Sequence, residues 1–244
     1  MKLAAKSDIG LKRENNQDSY SFGEILPGVC YAIVCDGMGG AAEGAVASKE
    51  CARIIREHLT SAYYEGMRDM SVKALLNSSI ELANRHIYNM SLQDEKYEGM
   101  GTTVVVALVT RDCVYISHAG DSRAYLLNPN MHTITQLTRD HSVVQRLVED
   151  GTITQEQAAD HPEKHLITRA VGVDETIRAD FCQEDVSEGD IILLCTDGLT
   201  NYSSVDELVL SAEGVSLEDY ISKIVEKANE NGGGDNITAV AVSV

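Results

Sequence analysis

One stretch of the sequence decides the fold, Tyr31-Ala32-Ile33-Val34-Cys35-Asp36-Gly37-Met38-Gly39-Gly40. Its apolar first half predicts a buried β-strand, and this strand ends abruptly in Asp-Gly and a glycine-rich turn. The second half of the chain repeats the design in Ile191-Ile192-Leu193-Leu194-Cys195-Thr196-Asp197-Gly198. Two buried strands with a carboxylate at each tip would let Asp36 and Asp197 converge at one end of a sheet. We therefore expect a metal-binding site there.

Composition narrows the function before any motif is considered. The formal charge of −18 over 244 residues argues against binding to nucleic acid or to anionic membranes, which require basic surfaces. The six cysteines include no C-x-x-C pair, which favours buried free thiols in a reducing compartment over a zinc site. The sequence shows no signal peptide and no apolar run of the ~20 residues that would span a bilayer. These features predict a cytoplasmic protein.

Periodicity predicts more hairpins than β-α-β crossovers. Helices are expected over 43–59 and 72–88, and two more after 191–196, the later of them marked by an apolar stripe from Leu217 to Ala228. Strands are expected over 2–9, 19–24, 29–35, 102–109, 113–118, 123–127, 134–137, 177–184, 191–196 and 237–244. Residues 139–176 contain short helices in an irregular excursion, which we expect to lie over a site. The order of elements predicts an α+β fold with mostly antiparallel sheets and helices outside, in one domain over 1–244.

Four acidic residues share one sequence context. Asp36, Asp121, Asp197 and Asp235 each lie at the end or start of an apolar strand, beside glycine or in a tight turn. Each of them alone is most simply a turn residue, because Asp and Gly are common in turns. Together they offer the carboxylate oxygens that Mg²⁺ and Mn²⁺ prefer. The combination predicts a metal centre.

The ordered motifs resemble those of the bacterial branch of the PP2C-type (PPM) metal-dependent Ser/Thr phosphatases, and the resemblance spans nearly the whole chain. Seven segments carry it: Arg13-Glu14-Asn15-Asn16-Gln17-Asp18, Asp36-Gly37-Met38-Gly39-Gly40, Met100-Gly101-Thr102-Thr103, Gly120-Asp121-Ser122-Arg123, Asp140-His141-Ser142, Thr196-Asp197-Gly198-Leu199 and Gly234-Asp235-Asn236. The resemblance implies a sandwich of two antiparallel β-sheets flanked by pairs of α-helices, with a flap insertion around 139–176.

The resemblance also implies a site with two, possibly three, Mn²⁺ or Mg²⁺ ions. Asp36 would bridge two ions, the carbonyl of Gly37 would bind one of them, and Asp197 and Asp235 would complete the pair. Asp121, together with Asp197, would bind a weaker third ion.

The same resemblance implies roles for two further residues. Arg13 would contact the substrate phosphate, and Asp18 would be an outer-shell residue holding metal-bound water. A guanidinium can bond two phosphate oxygens at once, which suits Arg13 to this role.

The sequence departs from the family pattern at the position of a general acid. Eukaryotic members have a histidine where this chain has Met38, and many bacterial members have a histidine where it has Ala41. We therefore assign no general-acid histidine, and we expect a structural role for His141 although it lies in a family motif.

Three functions remain compatible with the sequence. The first is hydrolysis of phosphoserine and phosphothreonine on proteins by a cytoplasmic monomer, opposing a bacterial Ser/Thr kinase that is itself among the substrates. The second is a catalytically inactive, phosphatase-like binding module. The intact set of Asp36, Asp121, Asp197 and Asp235 argues against it. The third is a dedicated phosphatase for a stress or sporulation regulator.

Overall fold

The computed structural model describes residues 1–40, 43–212 and 214–244. Two antiparallel sheets stack face to face. The first has the order β1-β11-β10-β7-β8, formed by Lys2–Asp8, Ile237–Ser243, Ile191–Cys195, Arg123–Asn128 and Thr133–Gln136. The second has the order β2-β3-β5-β6-β9, formed by Asp18–Leu26, Val29–Met38, Val104–Val109, Cys113–Ala119 and Asp180–Asp185. The two-residue strand β4, Gly101–Thr102, pairs with the end of β3.

Helices cover the outer face of each sheet. The long helices α1, Glu43–Ala62, and α2, Asp69–Gln93, lie on the second sheet. The first sheet is covered by α5, α6 and α7, formed by Asp197–Thr200, Val205–Ser211 and Leu217–Glu230. Small and β-branched side chains such as Ala32, Val34, Val105, Val240 and Val242 fill the space between the sheets. The predicted α+β sandwich with flanking helices is confirmed.

The segment predicted as a flap contains two short helices, α3, Val143–Glu149, and α4, Gln155–Ala159. The Ser142 side chain caps α3, and Thr154 with Gln157 forms the capping box of α4. An isolated bridge from Thr102 to Val171 attaches the segment to the rest of the fold, whereas the bridge from Ser142 to Ile167 joins two parts of the segment itself.

The observed elements differ from the predicted ones mainly at their ends. Helix α2 runs from Asp69 to Gln93, beyond the predicted 72–88, and β9 begins at Asp180 rather than at 177. The short helix α5 was not predicted, since four residues that include a glycine have little intrinsic helix propensity. Burial of Leu199 beneath α7 supplies the missing stabilisation. Among the described residues, no helix is long and apolar enough to cross a bilayer.

Candidate metal centre

The four predicted acidic residues line one pocket. This pocket, of about 620 Å³, opens at one end of the sandwich, and its walls include Asp36, Asp121, Asp197 and Asp235. Arg13 and Gly37 line the same pocket. Residues as far apart along the chain as Arg13 and Asp235, which are 222 positions apart, therefore line one pocket.

The strand register explains why three of these carboxylates converge. Strand β10 lies between β7 and β11, and its last residue, Cys195, is opposite both Arg123 and Ala239. Asp197 comes two residues after Cys195, whereas Asp121 comes two residues before β7 and Asp235 two residues before β11. Because the strands are antiparallel, the end of β10 and the starts of its neighbours lie at the same edge of the sheet.

Asp36 reaches this edge from the other sheet. Its backbone is fixed on both sides by Thr103, whose Oγ1 accepts from the Asp36 N–H at 3.0 Å and whose N–H donates to the Asp36 carbonyl at 2.8 Å. Thr103 is itself anchored by a 2.7 Å hydrogen bond to Ser122, beside Asp121. This hydrogen-bonded chain fixes the position of the Asp36 backbone relative to the Asp121 turn.

The glycines that follow the two strand-end aspartates are required by close packing. A Cβ atom on Gly37 would collide with the carbonyl of Gly44 at the start of α1. A Cβ atom on Gly198 would collide with the carbonyl of Asn236, next to Asp235. The Asp-Gly pairs therefore let α1 pack against the Asp36 loop and let α5 pack against the Asp235 loop.

Asp18 lies behind Asp36, opposite it in the pairing of β2 with β3. Its Oδ2 accepts a hydrogen bond from Thr196 Oγ1 at 3.0 Å, whereas its buried Oδ1 has no partner among the described residues. Asp197 Oδ1 is likewise buried and unpartnered within the described part of the chain. Buried carboxylate oxygens that lack donors are unstable unless a cation lies near them.

The electrostatics of the pocket favour a bound cation. Burial raises the pKa of Asp36 well above its usual range, and the neighbouring carboxylates of Asp18, Asp197 and Asp121 raise it further. Burial and the charge of Asp197 raise the pKa of Asp121 to about 7, and burial is also the main reason that the pKa of Asp18 rises to about 7. A set of carboxylate oxygens that repel one another fits hard divalent ions such as Mn²⁺ and Mg²⁺.

The carboxylates line the pocket without enclosing one common point. In residues 1–40, 43–212 and 214–244, no three His, Cys, Asp or Glu side chains form a compact metal-binding group. Asp235 Oδ2 accepts from Arg13 Nη2 at 2.9 Å, and Asp197 Oδ2 accepts from Asn201 Nδ2 at 3.0 Å. A cation at Asp235 would repel the Arg13 guanidinium, so binding of an ion there favours release of this ion pair.

Arg13 lies at the exposed rim of the pocket, where its hydrogen bond to Asp235 raises its pKa. The structure therefore places the predicted phosphate-binding side chain beside a predicted metal ligand. About half of this side chain is exposed, at 51%, so it is accessible to a ligand that enters the pocket.

Some residues of the site received no role from the sequence. Asn236 accepts from the Gln17 N–H at 2.8 Å and donates to the carbonyls of Ile9 and Asn15, each at 3.0 Å, so it attaches the loop that carries Arg13 to the Asp235 loop. Its position beside Asp235 was the available signal. Lys164, His165, Asn201 and Tyr202 also line the pocket, and none of them carries a sequence signature of its own.

Two histidines, His141 and His165, lie in different environments. His141 Nδ1 accepts from the Gly120 N–H at 3.1 Å, its Nε2 lies 3.2 Å from Asp180, and its ring stacks on His118. This buried position agrees with the expected structural role. Met38 lines the pocket, Ala41 lies outside the described residues, and His165 is the one histidine of the described chain in the pocket lining.

Comparison with known proteins decides the family. A sequence profile described as protein phosphatase 2C matches residues 11–239. The chain belongs to the protein phosphatase 2C family. The resemblance inferred from the seven motifs is thereby confirmed, and with it the assignment of the chain as a protein phosphatase.

Individual relatives and solved structures match nearly the whole of this chain. The serine/threonine phosphatase stp of Listeria monocytogenes serotype 4b is 35% identical, and the alignment covers 97% of this chain and 93% of that protein. Serine/threonine phosphatase Stp1 from Staphylococcus aureus has a crystal structure with a TM-score of 0.92 at 31% identity, covering 99% of this chain and 94% of that one. The catalytic domain of PstP in complex with two manganese ions has a TM-score of 0.86 at 33% identity, covering 99% and 97%. This PP2C-family phosphatase thus shares its fold with a phosphatase that binds manganese.

Proposed function

We propose that this phosphatase hydrolyses phosphoserine and phosphothreonine in proteins, with Mn²⁺ or Mg²⁺ held by the carboxylates of the pocket. The observation that carries the proposal is the convergence of Asp36, Asp121, Asp197 and Asp235 in one pocket with Arg13 at its rim. The names of the relatives, which are serine/threonine phosphatases, support the substrate class.

The position of each pocket residue indicates the role that it would take in metal binding. Asp36, the Gly37 carbonyl, Asp197 and Asp235 would hold two ions, and Asp121 with Asp197 would hold a third. When bound, a pair of divalent ions lowers the pKa of water and offsets the negative charge on the phosphoryl oxygens. The manganese complex of PstP supports the choice of metal.

Arg13 at the rim of the pocket and Asp18, which lies behind Asp36 and does not line the pocket, would have separate roles. Arg13 Nη2 lies 2.9 Å from Asp235 Oδ2. The guanidinium can turn toward a phosphate that enters from solvent and bond two of the phosphate oxygens. The unpartnered Asp18 Oδ1 would accept a hydrogen bond from the attacking water and hold its orientation. Positioning of this kind supplies part of the barrier reduction that phosphate monoesters require.

The cellular role proposed here follows from that chemistry. Residues 1–244 would act as a single phosphatase domain, as a monomer in the cytoplasm, and would reverse a bacterial Ser/Thr kinase that is one of the substrates. The six cysteines, all free in the structure, are compatible with a reducing compartment.

Hydrolysis of nitrophenyl phosphate tests the proposal, with Asp36→Asn as the variant and Asp112→Asn as the control. Asp112 is exposed and lies outside the pocket, so its change removes the same charge without touching the site. We expect Mn²⁺-dependent turnover that EDTA abolishes and that Asp36→Asn lowers by at least about a thousandfold. Absence of turnover with both Mn²⁺ and Mg²⁺ would instead favour an inactive binding module.

A further inference from the structure

Strand β2 forms a free edge of the second sheet. Among the described residues it pairs with β3 and with no other strand. An edge strand directs a row of backbone N–H and C=O groups away from its neighbour, and a further strand can bind to them. The pairing is irregular between Glu24 and Leu26, which protects that end, whereas Asp18–Gly23 is regular.

One face of this edge is aromatic. Tyr20 and Phe22 are 41% and 36% exposed, and their rings stack at 6.1 Å between centroids with an interplanar angle of 9°. The chain has two phenylalanines and no tryptophan, and one of the two phenylalanines, Phe22, is exposed at this edge. Exposed paired aromatic rings are more typical of interaction surfaces than of the solvated surface.

The opposite face of the edge is basic. Since side chains alternate along a strand, Ser19 and Ser21 point away from the aromatic pair, and Ser19 contacts Ser48 of α1 at 3.0 Å. A groove of about 480 Å³ lies between β2 and α1, lined by Asp18, Ser19, Tyr20, Ser21, Lys49, Ala52, Arg53 and Arg56.

The charges of this groove are unbalanced in favour of cations. Its only acidic lining residue is Asp18, which bonds to Thr196 on the side of the metal centre. Arg53 is paired with Glu50 and Glu57 at 2.7 and 2.8 Å, and Arg56 Nη2 lies 3.5 Å from Glu57 Oε1 in an exposed ion pair that a ligand can displace at little cost. Lys49 is exposed and has no ion pair within the described part of the chain. A local basic surface on a chain of net charge −18 selects for acidic ligands that the rest of the molecule repels.

We propose that this edge groove, defined as the free edge of Asp18–Gly23 with Tyr20, Phe22, Lys49 and Arg56, docks an extended acidic segment of a phosphoprotein substrate. The segment adds to β2 as a further strand. Its acidic side chains reach Lys49 and Arg56 on one face, and its apolar side chains cover the two rings on the other. The proposal rests on the proposed function, because it assigns a second contact for the same protein substrates, outside the catalytic pocket.

A second copy of this chain fits the edge groove less well. Pairing of β2 with β2 about a two-fold axis would bring the basic lining of one copy toward that of the other, since both copies contribute the same patch. Like charges in that position are unfavourable. An acidic segment faces no such repulsion at this surface.

Charge reversal tests the basic face. The Lys49→Glu/Arg56→Glu variant is compared with Arg85→Glu/Lys223→Glu, which makes the same change of charge at two exposed helical positions outside the groove. Turnover of phosphorylated casein, an acidic phosphoprotein, should fall at least about tenfold in kcat/KM for the first variant only. Turnover of nitrophenyl phosphate, which is too small to reach the groove, should stay within about twofold of the parent protein.

A peptide tests the strand geometry. A labelled peptide that alternates Glu and Val should bind the protein by fluorescence anisotropy and inhibit casein turnover but not nitrophenyl phosphate turnover. A peptide of the same composition with its Glu and Val residues in separate blocks should bind at least about tenfold more weakly, because it cannot match the alternation of the strand. Tyr20→Ser/Phe22→Ser should weaken binding, whereas Met70→Ser/Leu92→Ser, at positions 75% and 68% exposed, should not.

The outcomes separate the proposal from the catalytic assignment. Equal binding of the two peptides, or casein turnover that falls equally in both charge variants, would overturn the edge groove while leaving nitrophenyl phosphate turnover intact. Dimerisation that depends on Tyr20 and Phe22, measured by light scattering, would overturn it in favour of a second copy. Loss of nitrophenyl phosphate turnover in the parent protein would instead refute the proposed function.

Discussion

Replacement of Asn236 by alanine tests whether this residue supports metal binding as well as the stability of the fold. Asn236 is 5% exposed and makes three side-chain hydrogen bonds, at 2.8 Å to the Gln17 N–H and at 3.0 Å to each of the carbonyls of Ile9 and Asn15. At about 1 kcal/mol for each bond, Asn236→Ala should lower the free energy of unfolding by about 3 kcal/mol. It also removes the anchors of the loop that carries Asp235, a predicted metal ligand, so Mn²⁺ should bind less tightly.

Asn84→Ala is a matched control for this change. Asn84 is 2% exposed and also makes three hydrogen bonds, with the N–H of Gly172 at 2.7 Å and the carbonyls of Asp174 and Glu175 at 3.0 and 3.2 Å. None of these partners lines the pocket. Urea unfolding with EDTA should show similar losses for both variants.

Titration of nitrophenyl phosphate turnover with Mn²⁺ should separate the two variants. We expect the concentration for half-maximal activity to rise at least about tenfold in Asn236→Ala, which corresponds to about 1.4 kcal/mol of binding free energy. We expect it to stay unchanged in Asn84→Ala. If both variants lost stability and both kept the Mn²⁺ dependence of the parent, Asn236 would be a purely structural residue and the reasoning would fail.

Three further changes test separate parts of the account. Arg13→Ala should raise KM for phosphorylated substrates about tenfold or more while changing stability by less than about 1 kcal/mol, because its ion pair with Asp235 is exposed; steady-state kinetics and urea unfolding check both. Burial lowers the pKa of His141 from 6.5 to about 4, so the unfolded state takes up the proton first, and the contribution of His141 to stability should fall by about 3 kcal/mol as the pH drops from 6.5 to 4 and then level off. Buried Asp18 and Asp121, whose pKa values are raised to about 7, act in the opposite direction, so the contribution is measured as the difference in urea midpoints between the parent protein and His141→Gln. Thr196→Val removes the 3.0 Å donation to Asp18 and leaves the Thr238 N–H without its acceptor, so it should destabilise the protein by about 1–3 kcal/mol and weaken activation by Mn²⁺; unchanged stability would show that this link is dispensable.

The fold was predictable where one strand or helix carries its own pattern. The apolar runs before Asp36 and Asp197 specify buried strands, and the stripe from Leu217 to Ala228 specifies α7, because period and burial are local properties of the sequence. The ordered motifs added the sandwich architecture through the family resemblance.

The geometry of the site was less accessible, because it depends on which strands pair. The pairing of β1 with β11 sets Asp8 opposite Ile237, and this register brings the Arg13 loop beside the Asp235 loop. No periodicity in either strand specifies its partner. The ion pair of Arg13 with Asp235 and the bridging role of Asn236 follow from that non-local pairing, so they appear only in the structure.

The edge groove illustrates the same limit on another surface. The sequence shows the alternation of Tyr20 and Phe22 with serines, but the position of β2 at the sheet edge and the approach of Lys49 and Arg56 from α1 are tertiary facts.

Anomalous diffraction from crystals grown with Mn²⁺ tests the central proposal most directly. The account predicts two strong manganese peaks in the pocket, with Asp36 between them and Asp197 and Asp235 in contact, and with Arg13 turned away from Asp235. Manganese peaks at other acidic positions, with this pocket free of them and Arg13 still bonded to Asp235, would contradict it.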